Sequence, residues 1–318
     1  MSDAGHHSRG TWRTAWSHAN TSFYDSHRAQ DHFSTSIHVN ATVARQLARL
    51  IQVRHPSDHQ EVHVIDIGSG SGRLLEQLRH FLPKRIRLLG VDRRPRPARL
   101  PPDIDWRQVE IDDGTVDITG DDGHLDGLLI AHEFLDDIPC DVVELDDELC
   151  ERLVLVDTAT GAEELGPALD DPAAAALLDR YPPAESMEWL RHWWPITRPA
   201  ARREIGIARD RTWSRLRRIL RAGTAVAVDY AHTRPERTAG LWDAGTLKGF
   251  RDGRPRRPVP DGSVNITAHV ALDSCAHAGS PLRSQTQMVD DVSLDSWPLE
   301  RGGYTWLIED VQRVPVER

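Results

Sequence analysis

The stretch from Val62 to Leu75 reads VHVIDIGSGSGRLL, and it joins a buried strand to a helix through a glycine-rich turn. Apolar and β-branched residues lead up to Asp66, as in a buried strand. Gly68, Gly70 and Gly72 then permit a tight turn and let a ligand approach the backbone closely. Leucines recur at helical spacing after the turn, which predicts a helix that packs against a sheet.

A second predicted strand, residues 88–92, ends in another acid, Asp92. Asp92 lies 20 residues after Gly72, where nucleotide-binding sheets place a carboxylate on the ribose of the ligand. The glycine turn and the distant acid together predict a site for a nucleoside cofactor.

Two cofactors are compatible with such a site. A dinucleotide site uses the spacing G-x-G-x-x-G, with the pyrophosphate at the helix N-terminus. This chain has D-x-G-x-G-x-G instead, with Asp66 two residues before the first glycine. An acid beside closely spaced glycines favours a ligand with a cationic amino-acid tail, S-adenosylmethionine (SAM), over NAD. The motif resembles the first motif of class I methyltransferases, and NAD-linked redox chemistry on a related sheet stays open as an alternative.

Length, composition and charge limit the kinds of partner. The 318 residues can bury a substantial core, and the 28% charged and 39% hydrophobic residues are typical of soluble proteins. A net charge of −10 disfavours broad nucleic-acid binding, and no stretch approaches the ~18 apolar residues of a membrane span. The three cysteines have the spacing of neither a disulfide framework nor a zinc site. We therefore expect a cytoplasmic protein, bacterial by its arginine-rich composition, without a metal and without a membrane partner; a homodimer is compatible with the sequence.

The rest of the chain indicates an α/β fold. Further strands are predicted at 106–111, 125–131 and 224–230, and polar residues follow each of them. The carboxyl ends of parallel strands meet at one edge of a sheet, where ligands bind. Two later segments, 264–270 and 304–311, are candidates to complete the sheet.

We predict three parts in this chain. Residues 1–38 form an N-terminal arm, which either caps the next helix or acts as a lid over the cofactor. Residues 39–158 and 205–318 form the cofactor-binding core. Residues 159–204, with an alanine-rich segment, prolines and three tryptophans, form an inserted helical cap on the substrate side.

Eight segments spread over most of the chain occur in an order that is shared with one protein family. They are HFSTS at 32–36, DIGSGSG at 66–72, HEFLDDIP at 132–139, ER at 151–152, DYA at 229–231, TLKGFR at 246–251, NITAHV at 265–270 and TQ at 286–287. With these segments the chain resembles the MidA-like, SAM-dependent methyltransferases. That group includes the mitochondrial complex I assembly factor with protein-arginine methyltransferase activity.

The resemblance implies a class I methyltransferase fold, which is a Rossmann-like, mostly parallel, seven-stranded sheet. It also implies methyl transfer from SAM to a protein side chain, such as arginine, or to a small molecule. Among the positions that depart from the family pattern, His32, His132 and Asn265 stand where the family has Asp, Asn and Asp. These changes lie on the expected substrate side, and they leave open an assembly or binding factor that keeps the fold with reduced turnover.

The predicted cofactor contacts come from the loops after the first three strands. The turn from Gly68 to Gly72, Ser69 included, would hold the methionine tail, with Asp66 at its amino group directly or through water. Asp92 would hold the ribose hydroxyls. The adenine amino group would be reached by one of two acids after the third strand, Asp112 or Asp113.

Glu133 is the leading candidate for the acceptor side, because it follows the fourth strand near the expected methyl position. Its carboxylate could orient a guanidinium through paired hydrogen bonds, or act as a base for an amine or hydroxyl. Alternatively, Glu133 has only a structural role and caps the N-terminus of a following helix. His132, as a base, and Asp136, in support, are further catalytic candidates. Two residues that match the family are candidates for the wall of the substrate cleft, Tyr230 and His269.

Overall fold

The computed structural model describes residues 9–26, 41–54, 61–112, 118, 125–178, 180–277, 279–288 and 303–312. These residues form two compact units. Unit 1 takes its described residues from Met1–Phe33, Asp136–Ala208 and His232–Ser274, and unit 2 takes them from Ser34–Leu135, Arg209–Ala231 and Cys275–Arg318. Each unit is therefore assembled from segments that are distant in the sequence.

Nine helices and fifteen strands occur in the described ranges, and none of these helices is long and apolar enough to cross a membrane. The helices are α1 (Trp12–Ser26), α2 (Thr42–Arg54), α3 (Arg73–Phe81), α4 (Pro172–Leu177), α5 (Pro183–Trp193), α6 (Ile207–Arg217), α7 (Arg234–Thr238), α8 (Leu272–Cys275) and α9 (Gln285–Met288). The strands are β1 (Arg9–Thr11), β2 (Val62–Ile67), β3 (Ile86–Asp92), β4 (Ile104–Gln108), β5 (Leu125–His132), β6 (Val142–Leu145), β7 (Glu151–Asp157), β8 (Glu163–Ala168), β9 (Arg202–Glu204), β10 (Leu220–Tyr230), β11 (Lys248–Arg251), β12 (Arg254–Arg256), β13 (Asn265–Thr267), β14 (Leu282–Ser284) and β15 (Tyr304–Gln312).

Unit 2 is built on a mixed sheet with a parallel core. Its strands lie in the order β14-β15-β10-β5-β2-β3-β4. The strands from β10 to β4 pair in parallel, whereas β15 runs antiparallel to β10 and β14 runs antiparallel to β15. Leu47 of α2, Leu78 of α3 and Val64 of β2 share one buried apolar cluster. Because helices cover this sheet, the buried side chains of its central strands are mostly apolar.

Unit 1 contains two antiparallel sheets. Four strands pair in the order β1-β7-β6-β9, with β8 also paired to β7, and a smaller sheet has the order β12-β11-β13. Helix α1 packs through Trp12 and Trp16, which share a buried cluster with Val142, Val154 and Ile266. The described part of the N-terminal arm is thus an integral element of this unit.

Two predictions about the chain that forms unit 1 need correction. Residues 264–270 contribute β13 to the small sheet, where it pairs with β11, and they do not extend the parallel sheet as 304–311 does in β15. The segment 159–204 is not purely helical, because β8 and β9 lie beside α4 and α5. The sequence EELGPA of β8 is largely polar, and its strand forms because β7 supplies backbone hydrogen-bond partners. The HFSTS segment at 32–36 lies outside the described residues.

Candidate cofactor and acceptor site

The glycine-rich turn between β2 and α3 has a left-handed backbone that glycine adopts without strain. Gly68, Gly70 and Gly72 have φ values of 69°, 60° and 78°. The Gly68 N–H donates to the Val91 carbonyl on β3 (2.9 Å), and the Gly72 N–H donates to the Ser69 carbonyl (2.8 Å). The turn is thereby fixed at the carboxyl ends of two neighbouring strands.

The three glycines of the turn meet different surroundings. A Cβ at Gly68 would lie 2.7 Å from the Phe134 ring, and a Cβ at Gly72 would lie 2.4 Å from Leu100. Among the described residues, a Cβ at Gly70 would meet within 4 Å the Arg94 guanidinium at 3.4 Å and a backbone oxygen at 3.9 Å. A side chain at Gly68 or Gly72 would therefore press on Phe134 or Leu100, whereas Gly70 is the least crowded of the three.

Asp66, near the end of β2, is a buried carboxylic acid. Ser69 Oγ donates a hydrogen bond to Asp66 Oδ2 (2.6 Å). Burial raises the pKa of Asp66 from 3.8 to about 7; the Ser69 hydrogen bond opposes this shift, and the charge of Asp92 adds to it. An ammonium group beside Asp66 would favour the ionised carboxylate, so this acid fits a cationic tail.

Asp92, at the end of β3, is tied to the glycine turn. The Gly70 N–H donates to Asp92 Oδ2 (2.7 Å). Arg94 donates to Oδ1 through its backbone N–H (2.9 Å) and its Nε (3.1 Å), and to Oδ2 through Nη2 (3.4 Å). The sequence analysis does not identify Arg94. An arginine two positions after an acid at the end of a strand could nevertheless have suggested an ion pair with that acid.

Asp112 and Asp113 were predicted to approach the adenine ring. Asp112 is half-buried and follows β4, which pairs in parallel with β3. Asp113 lies outside the described residues. The choice between the two acids stays a prediction.

The loop after β5 holds Glu133 in an uncommon conformation. Glu133 has a φ of 50°, in the left-handed region that residues with a side chain rarely adopt. Its N–H donates to the Val228 carbonyl on β10 (2.8 Å), and the Leu135 N–H donates to the Asp229 carboxylate (2.9 Å). No helix occurs in the fully described residues 133–141, so the alternative role as a helix cap is wrong.

The Glu133 carboxylate is held by Tyr304, the first residue of β15. Tyr304 Oη donates to Glu133 Oε1 (2.5 Å). Burial raises the pKa of Tyr304 well above its ordinary value, and the charge of Glu133 and the neighbouring Tyr230 add to the shift. Tyr304 is therefore a permanent hydrogen-bond donor at physiological pH. The sequence shows this tyrosine only as one position of a late strand.

Two further predicted residues surround the Glu133–Tyr304 pair. His132 Nδ1 lies 3.6 Å from Glu133 Oε1, and the His132 ring stacks on Tyr304 with the ring centres 6.0 Å apart. The centre of the Tyr230 ring lies 4.3 Å from that of Tyr304. The structure thus brings His132, Glu133 and Tyr230 together within unit 2, beside the ring of Phe134 that packs on the glycine turn.

The remaining predicted residues, Asp136 and His269, belong to unit 1. The Asp136 carbonyl accepts a hydrogen bond from the Ala268 N–H (3.2 Å), so Asp136 and His269 lie on adjoining segments. The His269 N–H donates to Thr246 Oγ1 (3.0 Å), and its ring lies 5.2 Å from that of Trp242. Within the described ranges, no three or more His, Cys, Asp or Glu side chains are grouped to hold a metal ion.

One departure from the family pattern has a structural partner. Asn265 Nδ2 donates to Asp137 Oδ1 (3.1 Å), and the Tyr24 hydroxyl donates to Asp137 Oδ2. The family motif N-E-F-F-D-A-L-P has alanine at the position of Asp137, and the motif D-L-T has aspartate at the position of Asn265. In this chain the carboxylate of the pair is on Asp137 and the amide is on Asn265.

Two solved structures share the fold of this chain. A COG1565 superfamily member from Burkholderia thailandensis, bound to S-adenosyl-homocysteine, is 19% identical with a TM-score of 0.69, covering 94% of this chain and 87% of that chain. Another COG1565 superfamily protein from Burkholderia thailandensis is 17% identical with a TM-score of 0.63, covering 94% and 93%. The fold is thus that of the class I methyltransferases.

A family model identifies the chain further. The family described as "Putative S-adenosyl-L-methionine-dependent methyltransferase" matches residues 42–287, most of the chain. The chain belongs to this family, and the resemblance to the MidA-like methyltransferases is confirmed. It is a SAM-dependent methyltransferase, so the prediction of SAM is confirmed and the NAD-linked alternative loses its support. No curated protein matches the chain.

Proposed function

We propose that this methyltransferase transfers the methyl group to a nitrogen atom, and that the guanidinium of an arginine side chain is the acceptor. The observation that carries the proposal is the position of Glu133. Its neighbour Phe134 packs on Gly68 of the cofactor turn, and Tyr304 holds its carboxylate in place. A fixed carboxylate beside the cofactor suits an acceptor with two parallel N–H donors, which a guanidinium offers.

The cofactor side of the proposed site uses the loops after β2, β3 and β4. When bound, SAM supplies a methyl group that is activated by its sulfonium centre. Asp66 would pair with the amino group of the methionine tail, which Gly70 lets approach the backbone. Asp92 would accept hydrogen bonds from the ribose hydroxyls. The remaining residues shape the turn or reach the adenine ring: Gly68, Ser69, Gly72 and one of Asp112 and Asp113.

The acceptor side would orient the nucleophile and receive a proton. Glu133 would align the acceptor nitrogen for an in-line displacement, for which orientation is the main requirement. His132, 3.6 Å from Glu133, would take up the proton that this nitrogen releases. Tyr230 would line the acceptor cleft in unit 2, and the predicted roles of His269 in the cleft wall and of Asp136 in support stay predictions. The segment 159–204 would lie on the substrate side, and the lid role of the arm, residues 1–38, stays a prediction.

The experiment that tests the function is transfer of a labelled methyl group from SAM to a lysate of the source organism. We expect label in protein, stable to mild base and recovered as methylarginine after acid hydrolysis. Label in base-labile esters would contradict an acceptor nitrogen, and label in small molecules would contradict a protein acceptor. Heat of SAM binding is measured on the same preparation. Binding without any transfer would favour the alternative of an assembly factor with reduced turnover.

A further inference from the structure

We propose that Arg94 competes with the cofactor for Asp92, and that its side chain must leave this carboxylate before the ribose can bind there. This inference rests on the proposed role of Asp92 as the ribose-binding acid. Arg94 would then set the affinity of the enzyme for its cofactor, which the family resemblance does not predict.

The contacts of Arg94 cover the atoms that the ribose would use. Its Nε lies 3.1 Å from Asp92 Oδ1, and its Nη2 lies 3.4 Å from Asp92 Oδ2, so both oxygens have a guanidinium donor. The same Nη2 lies 3.4 Å from the position of a Cβ on Gly70. The guanidinium therefore stands both at the ribose-binding acid and over the open face of the glycine turn.

The backbone of this segment is fixed, whereas the guanidinium is not buried. Trp106 Nε1 donates to the Arg94 carbonyl (3.1 Å), and Gln108 Nε2 donates to the Arg93 carbonyl (3.1 Å). The Arg94 side chain is 28% exposed, compared with 7% for that of Asp92. Rotation of the Arg94 side chain would remove the guanidinium from both oxygens without a change in the sheet, while the backbone N–H groups of Arg94 and Gly70 would stay on Oδ1 and Oδ2.

The charges explain why Arg94 rests there and why the cofactor can displace it. Burial is the main cause of the raised pKa of Asp66, and the negative charge of Asp92 adds to it, so the two carboxylates repel each other. A cation beside Asp92 relieves this repulsion. The cofactor brings its own cation, an ammonium group at Asp66, and neutral hydroxyl donors for Asp92. Because the competing state cannot bind the ribose, its population lowers the apparent affinity.

Calorimetric titration with S-adenosylhomocysteine tests the competition. Arg94→Met removes the cation and keeps an unbranched apolar side chain. Arg93→Met is the matched control, since it removes the same charge from a neighbour that faces Glu110 at 4.0 Å. We expect Arg94→Met to bind about twofold to fivefold more tightly than wild type, as for loss of a partly exposed ion pair, and Arg93→Met to bind as wild type does.

An unchanged affinity of Arg94→Met would overturn the proposal, and a weaker affinity would make Arg94 a ligand of the cofactor. In either case the proposed function would stand, because the cofactor binds. Absence of binding by all three proteins would contradict the cofactor site itself.

Discussion

The glycine turn and the Glu133 loop follow neighbouring strands of one sheet, and both use a left-handed backbone. In the turn, Gly68, Gly70 and Gly72 adopt positive φ values without steric cost. In the loop, Glu133 adopts a φ of 50° although it has a side chain. That conformation persists because hydrogen bonds to β10 anchor the loop. The first region is encoded locally, and the second is enforced by its neighbours.

This difference separates the two halves of the site. The cofactor half is compact in sequence, since the partners of Asp66 and Asp92 lie within 22 residues of them. The acceptor half depends on Tyr304, which is 171 residues away from Glu133. The cofactor half should therefore respond to changes in the turn itself, and the acceptor half to changes in a distant strand.

The largest expected effect follows from a side chain at the open glycine. Gly70→Arg should weaken SAM binding by about a hundredfold or more, because the new side chain fills the ligand's approach and strains a φ of 60°. The control is Gly253→Arg, which places the same residue at a φ of 68° in an exposed turn of unit 1. Calorimetry measures the SAM affinity of both variants. If Gly70→Arg binds SAM as tightly as Gly253→Arg does, the glycine turn is not the cofactor site.

The next effect separates the halves directly. Tyr304→Phe removes the donor to Glu133 and keeps the ring, so we expect methyl transfer to slow by about tenfold to a hundredfold. Affinity for S-adenosylhomocysteine should stay unchanged. Tyr181→Phe removes another buried tyrosine hydroxyl, in unit 1, and should leave the transfer rate as it is. A parallel loss of cofactor affinity in Tyr304→Phe would mean that the two halves are not separable.

A smaller effect concerns pH and the cofactor half. With a pKa of about 7, Asp66 is mostly protonated at pH 6 and mostly ionised at pH 8. Because the ionised form pairs with the ammonium group of the cofactor, affinity should rise by about tenfold across this range. Asp66→Asn should bind weakly at both pH values. Titration of wild type and variant in matched buffers measures this, and a flat wild-type profile would contradict the role of Asp66.

Ionisation of Asp66 should have the opposite effect on stability, which should fall as the pH rises. The folded pKa of Asp66 is raised above 3.8, so its stabilising contribution is complete below about pH 4 and is lost as pH rises through about 7. Asp66→Asn cannot ionise. Wild type should therefore lose stability between pH 5 and pH 8, whereas the variant should not. The difference in free energy of unfolding should shift in favour of the variant by on the order of 2 kcal/mol. Urea denaturation at both pH values measures this difference.

The last prediction concerns unit 1. Asn265→Asp places a second carboxylate against Asp137, and it should lower the free energy of unfolding by about 1–3 kcal/mol. Adding Asp137→Ala recreates the family's pair and should recover part of that loss. A double-mutant cycle by urea denaturation gives the coupling energy. Additive effects would show that the exchanged carboxylate is not a compensated pair.

The sequence predicts the cofactor half of the site better than the acceptor half, for physical reasons. The spacing of Asp66, the glycines and Asp92 is a local pattern, and it correctly indicates a SAM-dependent enzyme. Apolar runs in the sequence also predict the buried strands β2, β5 and β10. Short strands such as β8 and β13 do not, since backbone pairing with β7 and β11 stabilises them more than their own residues do.

Long-range partners account for what the sequence does not show. Tyr304 is indistinguishable from any other strand tyrosine until β15 pairs with β10 and brings it to Glu133. Arg94 reads as one of several arginines in a loop until its guanidinium is seen on Asp92. The roles assigned to His132, Asp136 and His269 stay predictions, because they depend on an acceptor that has not been identified.

The role of Glu133 at the acceptor is tested most directly by measuring methyl transfer and cofactor binding in Glu133→Gln. The variant keeps the size of the side chain and removes the charge that would orient the acceptor. We measure the initial rate of labelled methyl transfer to the acceptor fraction and the affinity for S-adenosylhomocysteine. We expect a rate at least about a hundredfold lower with an unchanged affinity, as for loss of a charge-assisted contact to the acceptor. An unchanged rate would contradict this role of Glu133.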